Sequence, residues 1–188
     1  MNIVCYPEGE VPIELRAEMV TLQREAWPLF DRPNMAPWHD PLLDALSMLL
    51  IDEGHVDAAL DILTKVIEHR GISYAASGIS TTVTDRRLRR QGFGRSVIEA
   101  ARHEMSKRGA DLGIFTCDSR LRRFYESGGW SYLPGTILIG GTPESPFPSD
   151  QFDKVTMAAF FSAKARSHAD GFLGARIELF PGELDKLW

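Results

Sequence analysis

Apolar positions near the start of the chain recur at helical spacing. In VPIELRAEMVTLQREAW (11–27) they trace one face of an amphipathic helix, which Pro28 ends. The next stretch, PLFDRPNMAPWHDPLLDAL (28–46), breaks that period with Pro, Asp and Trp and predicts an irregular loop with one short helix. SMLLI (47–51) predicts a short apolar strand. VDAALDILTKVIEH (56–69) has the composition of a helix, but Arg70-Gly71 follows, and ISYAASGISTTVT (72–84) then alternates with β-branched residues. The two runs together predict a β-hairpin that turns near Arg70-Gly71.

Further along, ADLGIFTC (110–117) predicts a buried strand. Between it and the hairpin, residues 91–108 place Phe93, Val97, Ile98, Ala101 and Met105 on one helical face, and Gly109 supplies a C-terminal stop. Strand, glycine turn, helix and strand in that order describe a right-handed crossover between parallel strands. A short helix (RLRRFYESG, 120–128), a strand (WSYLPGTILIGG, 130–141), a Pro-rich loop (TPESPFPSD, 142–150) and the run KVTMAAFF (154–161) precede a tail ending in Trp188. With no internal repeat or low-complexity linker, residues 1–188 read as a single α/β domain.

Composition narrows the class without choosing a function. Hydrophobic residues make up 44% and charged residues 25%, as in ordinary soluble domains. The opening MNIVCYPEGE has neither a basic region nor a long apolar stretch, so no signal peptide is expected. No segment approaches the roughly 20 apolar residues of a membrane helix. Cys5 and Cys117 form neither a disulfide framework nor a metal-binding CxxC, and no metal site is expected. The expectation is a reduced, cytoplasmic protein. A pI near 5.5 argues against a nucleic-acid partner.

The distribution of charge says more. The chain carries -5 overall, yet Arg86 to Arg123 hold eleven Lys or Arg against four Asp or Glu, a local balance of +7. The positive charge peaks at RRLRRQGFGRS (86–96), where the crossover helix begins. A helix start offers backbone N–H groups without intrahelical partners, and its dipole adds partial positive charge. Gly92 and Gly94 let a ligand approach those amides, and Arg89, Arg90 and Arg95 add full charges. Such a turn suits a phosphate or pyrophosphate. It is not a Walker A loop, because no Lys follows the glycines. Val97 stands where the dinucleotide fingerprint needs its third glycine.

The wider pattern TTVTDRRLRRQGFGRSVIEAA resembles the acetyl-CoA motif of the GCN5-related N-acetyltransferase (GNAT) superfamily, in which a turn R/Q-x-x-G-x-G/A opens the helix after a strand. Arg89, Gly92 and Gly94 are the matching residues. FTCDSRLRRFYESGGW resembles the second motif of the superfamily through Phe124, Tyr125, Glu126, Gly129 and Trp130. The likeness covers about residues 72 to 140. It implies a central mixed, mostly antiparallel sheet flanked by helices, with a V-shaped opening between two parallel strands.

The resemblance also implies roles. Acetyl-CoA would be the cofactor, its pantetheine arm pairing with Thr82, Val83 and Thr84. Its pyrophosphate would sit on the turn formed by Arg89, Arg90, Gln91, Gly92, Phe93, Gly94 and Arg95. Thr116 would line the opening, and Tyr125 would protonate the departing thiolate. Many members place a Glu acting through water where this chain has Ser80, so the base would be water-mediated or a carboxylate from elsewhere. His39 and Asp40 are candidates for that role, against the reading of an ordinary surface histidine. Cys117 reads either as an acetyl carrier or as a small residue at a strand end.

Within the superfamily, RRFYESGGWSYLPGTILIGGTPESPFPSD and the tail FPGELDKLW are similar to the aminoglycoside 2'-N-acetyltransferases, which end in a short Gly–acid segment and a terminal Trp. That similarity implies an acceptor site including Trp38, His39, Asp40, Ser80, Lys186 and Trp188. The alternative for Trp188 is a ring that only plugs the core. Lys186 stands where relatives carry an acid, and together with Ser80 it removes two carboxylates from that site. A substrate with fewer amines, or with its own carboxylate, fits better, and kasugamycin is such an aminoglycoside. Another small amine, a protein N-terminus, or a silent acetyl-CoA sensor with no use for Tyr125 remain as alternatives. Relatives are often homodimers.

Overall fold

The computed structural model describes residues 1–28 and 38–188; residues 29–37 of the loop expected over 28–46 thus lie outside the described residues. The chain opens with β1 (Asn2–Pro7), an edge strand that hydrophobic patterning does not announce, followed by helix α1 (Ile13–Ala26). The apolar strand at 47–51 is β2 (Leu46–Asp52), and the hairpin is built as expected from β3 (His55–His69) and β4 (Ile72–Thr84), with Arg70 and Gly71 both at positive φ in the turn. The crossover helix α2 (Phe93–Lys107) leads to β5 (Leu112–Asp118), which lies parallel to β4.

After the short helix α3 (Arg122–Ser127), the structure corrects one expectation. WSYLPGTILIGG is not one strand but two, β6 (Ser131–Tyr132) and β7 (Ile137–Gly141). Pro134 has no N–H to give a ladder and Gly135 turns the chain at φ +69, so the run breaks there. β8 (Pro146–Pro148), β9 (Lys154–Phe160), helix α4 (Ala163–Ser167) and β10 (Arg176–Glu178) complete the described elements.

Seven strands form one sheet in the order β1-β2-β3-β4-β5-β9-β6, all antiparallel except β4 with β5. A second sheet holds β10-β7-β8. Side chains of a strand alternate between faces, and β2 shows it. Met48 and Leu50 join the core beneath α2, with Val97, Ile98, Ala101 and Met105, while Leu49 joins the opposite core with Met19 and Val20 of α1. A sheet covered on both faces accounts for the unbroken burial of β3 from Val56 to Leu63.

Two irregularities in this sheet make the site. The parallel pair β4–β5 is hydrogen-bonded only at Ala76↔Leu112 and Ser77↔Gly113, after which the strands part. Opposite this, two steps of β3 from Ala59 to Asp61 face three of β4 from Val83 to Ser80, a β-bulge that carries Thr81 at φ +48.

Candidate active site

The glycine turn lies where β4 leaves the sheet. Asp85 caps a short 3-10 turn (Arg86–Leu88) by accepting from the Arg87 N–H, and its carboxylate also takes the Arg87 guanidinium, which holds its carboxyl below the usual range. The chain then passes through Arg90 (φ +67) and Gly92 (φ +95) into α2. The first bond of that helix runs from the Ser96 N–H to the Gly92 carbonyl, leaving the preceding amides free of intrahelical partners. Gly94 is required by packing, since a Cβ there would come within 2.9 Å of Thr84 Oγ1 and 3.3 Å of the Phe124 ring.

A cavity of about 900 Å³ runs over this turn, lined by Thr82, Val83, Thr84, Arg89, Arg90, Gly92, Gly94, Arg95 and Tyr125, all of them expected from the sequence. Arg86, Arg95 and Arg120 are held by Glu25, Glu99 and Asp118, whereas Arg89 and Arg90 have no salt bridge among the described residues. Three expected residues do not line this cavity. Gln91 sits at the exposed turn, Phe93 packs against the core, and Thr116 is taken up in the ladder opposite Thr156.

Tyr125 is 6% exposed, packed edge-on between Phe115 and Phe124, and its hydroxyl donates to Thr82 Oγ1 at 3.4 Å. Burial pushes its pKa up to about 12, so the phenol keeps its proton. Burial also pushes the Cys117 thiol up to about 12, which makes it a poor nucleophile and leaves the small strand-end residue as the reading that fits.

A second cavity of about 590 Å³ lies on the other side of the bulge, lined by Ser80, Thr81, Asp185, Lys186 and Trp188. Ala26 and Trp27 line both cavities, so the two meet at the end of α1. Consecutive residues divide them: Thr81 faces the second cavity and Thr82 the first.

The structure separates the six residues expected around the acceptor. Ser80, Lys186 and Trp188 line the second cavity. Trp38 is instead buried in the core under α1, and His39, 3% exposed, is buried beside it. Asp40 caps a short turn (Pro41–Leu43) and lines a separate hollow near Lys65. The Trp188 ring is not an open stacking face either. It fills the gap where β4 and β5 part, resting on Gly78, and donates its Nε1–H to the Ile114 carbonyl at 2.9 Å.

His39 belongs to an ionic cluster that the sequence does not advertise. Its Nδ1 is 2.6 Å from Asp185 Oδ1 on the tail, and its Nε2 is 3.3 Å from Asp61 Oδ2 in the middle of β3. Asp61 also accepts from Ser47 Oγ at 2.6 Å and from Thr81 Oγ1 at 2.5 Å. Burial works against the imidazolium, but the two carboxylates overcome it and raise the His39 pKa to about 10. Burial likewise opposes the charge on Asp61, yet His39, Ser47 and Thr81 hold its carboxyl below the usual range. Glu8 closes the cluster by accepting the backbone N–H groups of Trp38 and His39. Asp61 is missed by pattern reading because one acid inside an apolar run looks like a solvated position. Thr81 has only its strained φ to mark it, a cost of about 1–3 kcal/mol for a non-glycine residue.

Residues 13–133 match the family model described as an acetyltransferase (GNAT) domain. No curated protein sequence matches the chain. Among solved structures, an acyl-CoA N-acyltransferase from Pseudomonas aeruginosa superposes with a TM-score of 0.58 at 16% identity, covering 84% of this chain and 97% of its own. An aminoglycoside 6'-N-acetyltransferase complexed with coenzyme A gives 0.57 at 15% identity, over 86% and 98%. The ribosomal-protein-S18-alanine N-acetyltransferase from Escherichia coli gives 0.54 at 17% identity, over 86% and 95%. At these identities the likeness is one of fold, and it agrees with the parted β4 and β5 and the glycine turn. The family match spans more than half of the chain, and the chain therefore belongs to the GNAT acetyltransferase family.

Proposed function

We propose that the protein transfers the acetyl group of acetyl-CoA to the 2'-amino group of an aminoglycoside of the kasugamycin type, a reaction that would confer resistance. The observation that carries this reading is the pair of cavities meeting at Ala26 and Trp27, one suited to a thioester cofactor and the other to an acceptor. In the first, the free helix amides, Arg89 and Arg90 receive the pyrophosphate, and backbone groups of Thr82 to Thr84 pair with the pantetheine arm. Acetyl-CoA supplies the activated acyl group. Tyr125, kept neutral by burial, donates its proton to sulfur as the C–S bond breaks.

The acceptor class rests on the second cavity. Ser80 and Lys186, the two departures from the acidic pattern of the 2'-enzymes, both line it. The Lys186 ammonium lies 3.4 Å from Glu183 and 5.1 Å above the Phe147 ring, so it stays on the tail beside the cavity. A cation there disfavours a polycationic sugar and favours one with a carboxylate. Aminoglycoside 6'-N-acetyltransferases among the structural neighbours are consistent with an aminoglycoside but carry no regiochemistry.

The test compares kcat/KM for kasugamycin and for gentamicin-type aminoglycosides, with the acetylated position read by NMR. Kasugamycin should be the better substrate, modified at the 2'-amine, and Lys186→Asp should move the preference toward gentamicin-type compounds. A native preference for the polycations would overturn the substrate assignment.

A further inference from the structure

The acid side of the reaction has a group in place, Tyr125 through its contact with Thr82. The base side has no carboxylate exposed on β4, because Ser80 occupies the strand position that faces the acceptor cavity. The residue next to it, Thr81, has an unusual setting. It is β-branched yet held at φ +48, a region that such side chains rarely adopt, and it is the extra residue of the bulge. Thr81 lines the acceptor cavity, and its hydroxyl donates to the buried Asp61 carboxylate at 2.5 Å. With its hydrogen committed inward, the Thr81 oxygen keeps its lone pairs for a donor arriving from the cavity.

The groups around Asp61 fix its charge, and His39, Ser47 and Thr81 hold it as an ionised carboxylate behind Thr81. These groups are the His39 imidazolium, Asp185 from the tail, Glu8 from the turn after β1, and the hydroxyls of Ser47 on β2 and Thr81 on β4. One imidazolium against Asp61 and Asp185 leaves net negative charge directly behind the acceptor cavity. Asp61 is 1% exposed, so a proton reaches it from that cavity only through a neighbour. Of its direct partners His39, Ser47 and Thr81, Thr81 is the one that lines the cavity.

The geometry points to a proton relay from the acceptor nitrogen through Thr81 Oγ1 to Asp61. This rests on the acetyl-transfer reading above. As the amine attacks the thioester carbonyl, the C–N bond forms and the C–S bond breaks with its electron pair on sulfur. The surplus N–H proton passes to Thr81 Oγ1, whose own proton moves to Asp61 Oδ2. Tyr125 gives the thiolate its proton. One proton is taken up at Asp61 and one is released from Tyr125, and exchange with solvent restores both before the next turnover. Thr81 is the group that touches the substrate, and Asp61 acts through it as a positioning and proton-holding residue.

Thr81→Gly removes the hydroxyl while suiting the left-handed backbone, with folding checked by circular dichroism; Thr81→Ser keeps the hydroxyl. With acetyl-CoA and the best acceptor of an amine panel that includes kasugamycin, Thr81→Gly should lower kcat about 10²-fold. Its KM for acetyl-CoA should stay within about twofold. Its rate should keep climbing with pH as hydroxide replaces the relay, where the wild type levels off. Thr81→Ser should recover the wild-type plateau to within about threefold. Asp61→Asn, checked for folding by circular dichroism, should share the pH profile of Thr81→Gly. A Thr81→Gly enzyme with wild-type kcat and pH profile overturns the relay and leaves acetyl transfer standing. A wild-type protein that transfers to no amine instead overturns the functional reading beneath it.

Discussion

The indole of Trp188, the last residue, rests on Gly78 of β4 while its N–H bonds the Ile114 carbonyl of β5 at 2.9 Å. Two parallel strands that have just parted are thus wedged by the Trp188 ring. Glycine at 78 leaves room for the ring, since a Cβ there would come to 2.3 Å from the indole nitrogen. Gly78→Ala should therefore expel the tail. Trp188→Ala should cost about 3–5 kcal/mol, the usual range for truncating a buried tryptophan. Chemical denaturation checks both, and a Gly78→Ala protein with wild-type stability and acceptor KM would remove the wedge from the account.

Gly92 is needed for its backbone rather than for room, because nothing lies within 4 Å of a Cβ at that position while its φ is +95. Gly92→Val should strain the turn and pull the first amides of α2 out of line. A loss of acetyl-CoA affinity of at least about tenfold is expected, equivalent to about 1.4 kcal/mol. Calorimetry on the folded variant measures it, and unchanged affinity would show that the turn is not the anchor.

Tyr125→Phe keeps the ring between Phe115 and Phe124 and loses only the hydroxyl. Its kcat should fall by about 10² with both Michaelis constants little changed. With the phenol pKa near 12, no loss of rate from its ionisation is expected up to about pH 10. Wild-type turnover by this variant would reduce Tyr125 to a packing residue.

The cluster at His39 predicts a pH dependence of stability. The folded pKa of about 10 lies above the ordinary 6.5, so its contribution is complete below about pH 6.5 and fades as pH rises toward 10. His39→Gln, which leaves Asp61 and Asp185 buried without their cation, should cost about 3–5 kcal/mol at pH 6. The gap in Tm between wild type and variant should narrow from pH 6.5 to 10. A constant gap would mean that the histidine is neutral in the folded protein.

The sequence makes the cofactor half of this site readable and leaves the acceptor half dark, for physical reasons. A phosphate turn is local: Arg89, Gly92 and Gly94 lie within six residues, between a β-branched strand and an amphipathic helix. The hairpin is also local, with its turn marked by Arg70-Gly71. The acceptor side is assembled from distant pieces, since Asp185 reaches His39 across 146 positions and Asp61 lies 22 beyond His39. Within β3, Asp61 shows only as an acid among apolar residues, and its partners come from β2, β4 and His39 in the segment before β2. The likeness to the aminoglycoside 2'-enzymes puts Trp38 and His39 at the substrate. The core under α1 and the two carboxylates bury them instead. β1 leaves little trace in the sequence because an edge strand needs only one apolar face.

The central claim is that the two cavities join a thioester to an amine, and amine-dependent release of coenzyme A from acetyl-CoA tests it most directly. With the purified wild type, thiol release should be slow with acetyl-CoA alone and rise by at least about 10² when kasugamycin is added, with one equivalent of acetylated product per thiol. Tight binding of acetyl-CoA with no acceleration by kasugamycin, by other aminoglycosides or by small primary amines would contradict it, and would make the protein a binder of the cofactor instead of an enzyme that spends it.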